Sequence, residues 1–207
     1  MKVVAVTQRI DVLADRNEIR DSVDQSLMRF ISEAGFLPLS IPNTLVNQND
    51  ISDAKDGSPL EELLRKINPV GVVLSGGGDI GANCDRDVTE LQLLNIAYKK
   101  QIPTLGICRG MQMIAFWAGS STHSVQSHIA TRHSIYGEIS GEVNSFHSKS
   151  VKDCPVGFEV VARSLDNEIE AIRHKKLKWE GWMWHPERER RFAERDVGGL
   201  RNLFKTE

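Results

Sequence analysis

The feature that most constrains this chain is a cysteine between two glycines, in the segment Gly106-Ile107-Cys108-Arg109-Gly110. A short β-prone run precedes it, and the apolar run that follows is typical of the start of a helix. The cysteine therefore lies on a tight strand-to-helix turn, the counterpart of the G-x-S-x-G nucleophile elbow. The helix N-terminus favours a thiolate there. A lone motif of this kind is equally compatible with a structural cysteine.

Two further segments favour a reactive cysteine. A hydrophobic run leads into Ser75-Gly76-Gly77-Gly78-Asp79, and such a loop can direct bare N–H groups towards a developing oxyanion. In Trp184-His185-Pro186-Glu187, an apolar strand ends in a histidine with a carboxylate two positions later. A cysteine nucleophile needs a base, and the base needs an acceptor that orients it. Together the three segments supply nucleophile, oxyanion donors, base and orienting group.

The rest of the chain predicts alternating strands and helices. Strands are expected at 3–7, 36–41, 70–74 and 104–107, helices at 18–34, 58–67, 87–100 and 109–119, and polar loops at 8–17 and 43–57. This pattern implies a parallel sheet covered on both faces. Beyond residue 119 the pattern changes. The segment 120–131 is polar, 135–184 is expected to form further strands, and a charged helix is expected at 190–204.

Length and composition exclude several classes of protein. With 207 residues, the chain is long enough for one α/β domain and short for two, so a single domain, 1–207, is expected. A formal net charge of −2 argues against nucleic acid or an anionic membrane as partner. The sequence shows three cysteines, no signal peptide and no membrane span, which indicates a reducing, cytoplasmic setting.

The motifs resemble those of a known family. The glycine loop, the cysteine elbow, Val143-Asn144-Ser145-Phe146-His147-Ser148 and Trp184-His185-Pro186-Glu187 occur in the order of the class I glutamine amidotransferase superfamily, and are most similar to its γ-glutamyl hydrolase branch. The resemblance covers about residues 3–187. It implies an α/β, flavodoxin-like three-layer sandwich with a central, mostly parallel sheet and a β-rich extension. It also implies a small-molecule γ-glutamyl substrate and no cofactor.

The resemblance assigns roles to the motif residues. Cys108 is expected to attack a γ-glutamyl amide to give a γ-glutamyl thioester, with His185 transferring protons and Glu187 fixing the histidine tautomer. The backbone N–H groups of Gly77 and Arg109 are the expected oxyanion donors. By their positions in the motifs, the expected substrate-binding residues are Gly76, Gln112, Asn144, Ser145 and His147.

The sequence does not identify the leaving group of the γ-glutamyl substrate. Only residues 80–86 separate the glycine loop from the next helix, where larger γ-glutamyl hydrolases carry a long insertion. Candidate substrates include γ-glutamyl-γ-aminobutyrate and γ-glutamyl nucleotide amidates, the latter with Arg9 or Arg86 as phosphate contacts. The alternatives are a glutaminase subunit that passes ammonia to a separate synthetase, and a non-catalytic ligand-binding relative. A homodimer is a further open possibility.

Three histidines, His123, His128 and His133, repeat at H-x₄-H spacing. Neither a cysteine nor a pair of carboxylates completes a site near them in the sequence, so no metal is expected. His128 or His133 is instead expected to line the leaving-group pocket.

Overall fold

The computed structural model of the chain describes residues 1–46 and 57–205. Within these ranges the strands are β1 (Val3–Thr7), β2 (Arg9–Leu13), β3 (Glu18–Ser22), β4 (Leu37–Ile41), β5 (Gly71–Leu74), β6 (Thr104–Ile107), β7 (Thr122–Ser124), β8 (Ile129–Gly137), β9 (Gly141–Phe146), β10 (Lys149–Val151), β11 (Phe158–Ser164), β12 (Ile169–His174) and β13 (Trp179–Trp182). The α-helices are α1 (Gln25–Glu33), α2 (Pro59–Ile67), α3 (Cys84–Lys100), α4 (Arg109–Trp117) and α5 (Glu194–Leu203).

One large sheet organises the molecule. Its spatial order is β4-β1-β5-β6-β13-β12-β11-β8-β9, with β10 pairing to β12 and β7 pairing to β10. The strands β4, β1, β5, β6 and β13 run parallel to their neighbours within this group, which we call the parallel half. The strands β12, β11, β8, β9, β10 and β7 pair in antiparallel fashion and form the antiparallel half. The predicted parallel centre with a β-rich extension is confirmed.

Helices cover both faces of the parallel half. Along β1, Val4 and Val6 pack with α1 and α5 in one core, whereas Ala5 belongs to a second core with α2, α3 and α4. Successive side chains of a strand point to opposite faces, so this alternation produces three layers. In the described ranges, none of the helices is long and apolar enough to cross a membrane.

The segment before α1 differs from its prediction. Instead of a polar loop at 8–17 and a helix from 18, β2 and β3 form an antiparallel hairpin, and α1 begins only at Gln25. Asp24 caps this helix by accepting a hydrogen bond from the Ser26 N–H (2.8 Å). Ile19, which fits the helical spacing of apolar residues, is 69% exposed on the hairpin. The N-cap aspartate therefore marks the helix start better than the apolar period does.

Other element boundaries lie closer to expectation. Helix α2 begins as predicted, because Ser58 accepts a hydrogen bond from the Glu61 N–H (3.2 Å) and Pro59 is its first residue. Helix α3 begins at Cys84, before the predicted residue 87, and α5 begins later than predicted, at Glu194. The polar segment 120–131 contains β7 and the first residues of β8. Most of the predicted loop at 43–57 lies outside the described residues.

Candidate active site

Cys108 lies at the turn between β6 and α4, where its backbone adopts φ 51° and ψ −106°. A positive φ is rare for a residue with a side chain and is typical of strained functional turns. Packing requires both flanking glycines. A Cβ on Gly106 would lie 2.5 Å from the Gly110 carbonyl, and a Cβ on Gly110 would overlap the Leu74 carbonyl. The close approach of strand and helix therefore fixes the sulfur at the N-terminus of α4.

The glycine loop follows β5 and lies against His185. Gly77 and Gly78 have φ values of 88° and 73°, a region that favours glycine. A Cβ on Gly76 would lie 2.7 Å from Cε1 of His185. Gly76, predicted to bind substrate, is thus the residue whose missing side chain lets the loop approach the imidazole.

A buried arginine on α3, Arg86, holds the glycine loop. Its guanidinium donates hydrogen bonds to the carbonyl oxygens of Ser75 (2.7 Å), Gly76 (3.2 Å) and Gly77. Because the C=O and N–H of a trans peptide point in opposite directions, the bond to the Gly76 carbonyl turns the Gly77 N–H away from Arg86. Arg86 is 3% exposed, so its predicted role as a phosphate contact is wrong.

The side chains of Arg86 and Arg109 share one buried carboxylate. Glu90 accepts hydrogen bonds from Arg86 Nε (3.0 Å), from Thr7 Oγ1 (2.8 Å) and from Arg109, which also pairs with Asp87. This network connects the cysteine elbow with the glycine loop. Sequence reasoning missed Thr7, Asp87 and Glu90. The available signal was the i, i+4 spacing of Arg86 and Glu90 on a helix.

His185 follows β13 and is oriented by two partners. Its Nδ1 lies 2.6 Å from Oε1 of Glu187, and both side chains are buried. The Asn144 amide accepts a hydrogen bond from the His185 N–H (3.0 Å) and donates to the His185 carbonyl (2.8 Å) and to Glu189 (2.8 Å). Asn144 therefore holds the backbone of His185, while Glu187 sets the orientation of its ring through Nδ1.

The charge state of His185 follows from its neighbours. Burial disfavours the imidazolium and lowers the pKa of His185, but the adjacent Cys108 and Glu187 outweigh it and raise that pKa to about 9. At neutral pH the ring therefore carries a proton.

Cys108 and His185 open into one cleft of about 380 Å³. The other predicted site residues that line this cleft are Gly77, Arg109, Gln112 and His147. Gly76 and Glu187 line an adjoining pocket, which shares Gly77, His185 and Arg188 with the cleft. Ser145 lies away from both, since it is fully buried and its Oγ donates to the His128 carbonyl (2.6 Å). The structure thus brings most of the predicted residues together and places Asn144 and Ser145 behind the wall.

One wall of the cleft is formed around Lys149. Gln112 Nε2 donates to the Lys149 carbonyl (3.0 Å), and His147 Nδ1 lies 3.1 Å from the same oxygen. The Lys149 ammonium pairs with Asp79 of the glycine loop (2.9 Å). Gln112 and His147 therefore present their side chains to the cleft from positions fixed by a shared backbone carbonyl.

Besides Arg109, whose guanidinium pairs with Asp87 and Glu90, two cationic residues line the cleft: Lys149 and Arg188. The Arg188 guanidinium lies 4.6 Å above the centre of the Phe146 ring, a cation–π contact. Arg9 pairs with Asp11 (3.2 Å) and lines only the adjoining pocket among these two cavities. Sequence reasoning identified Arg9 but not Arg188, which lies in a charged run that is typical of a solvated surface.

The histidines of the polar segment lie elsewhere. His123 pairs with Glu168 (3.0 Å). His128 and His133 form a cluster with Glu170, and neither lines the cleft beside Cys108. The predicted contribution of His128 or His133 to a leaving-group pocket is therefore wrong. Glu170 is the nearby carboxylate that the sequence analysis did not find.

Comparisons with known proteins agree with this geometry. A family model described as glutamine amidotransferase class-I matches residues 18–198. A gamma-glutamyl-CDP-amidate hydrolase from Campylobacter jejuni is 36% identical over 124 residues, which cover 57% of this chain and 62% of the relative. The chain thus spans less than two thirds of that protein. A gamma-glutamyl-gamma-aminobutyrate hydrolase from Escherichia coli O157:H7 is 27% identical over 226 residues, covering 86% of this chain and 85% of the relative.

Other similar proteins are named as subunits of GMP synthase or as glutamine amidotransferases. A glutamine-hydrolysing GMP synthase subunit from Methanocaldococcus jannaschii is 31% identical over 142 residues, covering 63% of this chain and 71% of the relative. A solved structure of a proposed GMP synthase subunit from Thermoplasma acidophilum superposes with a TM-score of 0.70 at 20% identity, covering 99% of this chain and 94% of that one. A glutamine amidotransferase from Thermotoga maritima gives 0.64 at 20% identity, covering 97% and 83%. These two likenesses confirm the predicted fold.

Proposed function

Because this chain belongs to the class I glutamine amidotransferase family, we propose that it hydrolyses a γ-glutamyl amide with Cys108 as nucleophile, His185 as acid and base, and Glu187 as orienting carboxylate. One observation is the main support for this proposal. The sulfur at the start of α4 and an imidazole hydrogen-bonded to a buried carboxylate line the same cleft. The proposal needs no metal or cofactor at this site.

The first half-reaction forms the thioester. The Cys108 thiolate attacks the δ-carbonyl carbon of the γ-glutamyl group, and a tetrahedral oxyanion forms. Protonated His185 gives its Nε2 proton to the leaving nitrogen, the C–N bond breaks, and the amine departs. The raised pKa of His185, about 9, supports this step because the acid is already charged at neutral pH.

Backbone N–H groups stabilise the oxyanion. Arg109 contributes the first N–H of α4, which has no partner within the helix because intrahelical bonding starts with the Gln112 N–H. Gly77 contributes the second, since its N–H is turned away from Arg86 by the hydrogen bond on the Gly76 carbonyl. Loss of one such donor typically costs about 10²-fold or more in turnover.

The second half-reaction releases glutamate. His185, now neutral, takes a proton from water, which attacks the thioester carbonyl. The C–S bond breaks, and the thiolate and protonated imidazole are restored. Gln112 lines this cleft and is proposed to contact the glutamyl group, whereas His147 is proposed to support the wall, since both of its ring nitrogens face protein groups. Asn144 is assigned a different task from its family prediction, namely holding the His185 backbone.

The leaving group is proposed to be anionic. Arg188 places a positive charge on the cleft that contains Cys108, and Lys149, whose ammonium pairs with Asp79, lies on the same cleft. Guanidinium groups bind phosphate oxygens well, and Arg188 is preorganised by its contact with Phe146. The likeness to the Campylobacter jejuni gamma-glutamyl-CDP-amidate hydrolase supports the same class of substrate, a γ-glutamyl nucleotide amidate.

A second candidate is a glutaminase subunit that delivers ammonia to a synthetase. Its support is the likeness to glutamine-hydrolysing GMP synthase subunits. A ligand-binding relative without catalysis is the weaker alternative, because a binding protein has no need of the Cys108, His185 and Glu187 arrangement.

The test is glutamate release from four compounds: glutamine, γ-glutamyl-γ-aminobutyrate, a γ-glutamyl peptide and a γ-glutamyl nucleotide amidate. We expect the amidate to be hydrolysed fastest, and Arg188→Ala to raise its KM about tenfold or more with a smaller change in kcat. Arg190→Ala, an exposed arginine of the same charged run, is the matched control. Turnover of glutamine alone, stimulated by a synthetase, would favour the second candidate instead.

A further inference from the structure

Four polar side chains meet in the antiparallel half, outside the hydrolytic machinery. Glu170 on β12 is fully buried, and its Oε1 lies 3.4 Å from one ring nitrogen each of His128, His133 and His147. Nδ1 of His128 also lies 3.2 Å from Nε2 of His147. The four residues come from three separate stretches of chain: 128–133, 147 and 170.

The carboxylate of Glu170 lies near three imidazoles but forms no hydrogen bond with them. Within the described residues, neither of its oxygens has a hydrogen bond, and Nε2 of His133 has none either. A buried carboxylate without hydrogen bonds is strongly destabilising unless a cation compensates it. The cluster therefore needs a positive charge among its four side chains.

The outer hydrogen bonds decide which ring nitrogens can bind a cation. Nε2 of His128 lies 2.9 Å from Oδ2 of Asp166, and Nδ1 of His147 lies 3.1 Å from the Lys149 carbonyl. Both outer partners only accept, so these two nitrogens carry the protons. In the neutral form of each ring, the opposite nitrogen directs a lone pair into the cluster. A histidine whose outer N–H is held by a carboxylate or carbonyl is the usual form of a metal ligand.

Four of the six separations among the inner atoms match a tetrahedral metal, and the ligand atoms of His128, His133 and Glu170 all lie within 4.8 Å of one another. Zinc bonds to nitrogen of about 2.0–2.1 Å give ligand-to-ligand separations of roughly 3.3–3.4 Å at tetrahedral angles. The observed separations are 3.2 Å between His128 and His147, and 3.4 Å from each histidine to Glu170. We propose that His128, His133, His147 and Glu170 bind one divalent transition-metal ion of the zinc class.

A backbone irregularity brings two of the ligands to one face. Residues five apart on a regular strand point to opposite faces, so His128 and His133 would be separated. The pairing of β8 with β9 shifts register between Ile129 and Thr131, and Ala130 adopts φ 53°. This β-bulge adds one residue and returns both histidines to the interior side. The donor set of three imidazoles and one carboxylate favours zinc-like ions over Mg²⁺ or Ca²⁺, which prefer oxygen ligands.

The metal would stabilise one wall of the catalytic cleft. His147 both belongs to the cluster and lines the cleft beside Cys108. Its backbone N–H donates to the His128 carbonyl (3.2 Å), which also accepts from Ser145 Oγ (2.6 Å). With four protein ligands the coordination is closed, which is typical of a structural site. The metal therefore fixes the wall and takes no part in the chemistry at sulfur.

The first experiment measures binding by the full chain without an affinity tag. The protein is treated with a chelator, transferred to metal-free buffer and titrated with Co²⁺, whose visible absorption is intense when coordination is tetrahedral. We expect saturation at one Co²⁺ per chain and displacement by Zn²⁺. Protein purified without chelator should contain about one zinc-class ion per chain by elemental analysis. Absence of both signals in the wild-type protein would overturn the proposal.

Variants then locate the site. His133→Ala and Glu170→Gln are expected to weaken Co²⁺ binding about 100-fold or more and to abolish the tetrahedral spectrum. His123→Ala and Glu168→Gln are matched controls, since these two residues pair with each other outside the cluster. Equal binding by His133→Ala and wild type, or loss of binding in His123→Ala, would contradict the assignment. The wild-type titration remains decisive if Glu170→Gln does not fold.

Discussion

The two halves of the sheet carry two polar sites that are built in different ways. In the parallel half, the cleft beside Cys108 uses backbone turns after β5, β6 and β13, and several of its buried charges are paired: His185 with Glu187, and Glu90 with two arginines. In the antiparallel half, the histidine cluster consists of side chains from distant strands around a carboxylate with no hydrogen bond in the described part of the chain. The first site has protein partners for these charges, whereas the proposed partner in the second is a metal ion.

This difference predicts that the two sites can be disabled separately. Cys108→Ala is expected to lower turnover by at least about 10⁴-fold, because the thioester cannot form, while Co²⁺ binding stays unchanged. Glutamate release and the cobalt titration measure the two outcomes on the same preparation. Cys154→Ala, which removes an exposed free cysteine, is the control and should leave both unchanged. Loss of Co²⁺ binding in Cys108→Ala would show that the two sites are one.

Removing the orienting carboxylate tests the pairing within the cleft. Glu187→Gln is expected to lower kcat by roughly 10²–10⁴-fold without unfolding the protein, because the imidazole loses its tautomer and orientation. Glu142→Gln, an exposed glutamate that pairs with Arg132, is the control. Circular dichroism should be native in both variants. Wild-type turnover in Glu187→Gln would remove Glu187 from the mechanism.

The same variant has a pH signature. The pKa of His185 is about 9 in the folded protein against roughly 6.5 in an unfolded chain. The protonated ring therefore contributes stability that is fully present below about pH 6.5 and is lost as the pH rises to about 9. Histidine NMR titration should give a lower pKa for His185 in Glu187→Gln, and stability should fall less over that range. An unchanged His185 pKa would contradict the stated cause.

The glycine loop offers a smaller but more specific perturbation. Gly76→Ala places a Cβ 2.7 Å from His185, so we expect turnover to fall about tenfold or more while the fold is retained. Gly198→Ala is the control, since its Cβ meets nothing closer than 3.9 Å and alanine stabilises a helix by about 1 kcal/mol relative to glycine. Equal kcat values for the two variants would mean that the imidazole position is not critical.

The smallest effect on turnover is expected from the antiparallel half. His133→Ala, or chelation of the wild-type protein, should lower the unfolding temperature clearly and kcat less than tenfold, because the metal supports the wall and not the sulfur. Thermal unfolding and steady-state kinetics measure the two. Complete loss of turnover after chelation, restored by Zn²⁺, would assign the metal a direct role in catalysis. It would contradict the assignment of chemistry to the parallel half and of structural support to the antiparallel half.

The comparison also explains what the sequence could predict. The elbow and the glycine loop can be predicted from their glycines, because close backbone approach at Gly106, Gly110 and Gly76 excludes any side chain. A short segment therefore indicates the local structure. The helix start at Asp24 was missed because Ile19 matched a helical period while lying exposed on a hairpin.

The histidine cluster could not be predicted in this way. Its geometry depends on a bulge at Ala130 and on the pairing of β10 with β12 and of β11 with β8, none of which a local pattern encodes. Glu170 lies far from its histidines in sequence, and His128 and His133 would face opposite ways on a regular strand. Likewise, the hydrogen bonds from Arg86 to the glycine loop could not be predicted, because they depend on α3 packing against that loop.

The most direct test of the central claim is to identify the covalent intermediate. Wild-type protein and Glu187→Gln are incubated with the best substrate of the panel, quenched in acid, digested and analysed by mass spectrometry. The account predicts a γ-glutamyl adduct on the peptide containing Cys108, removable by hydroxylamine and absent from Cys108→Ala. An adduct on another residue, or substrate turnover by Cys108→Ala, would contradict it.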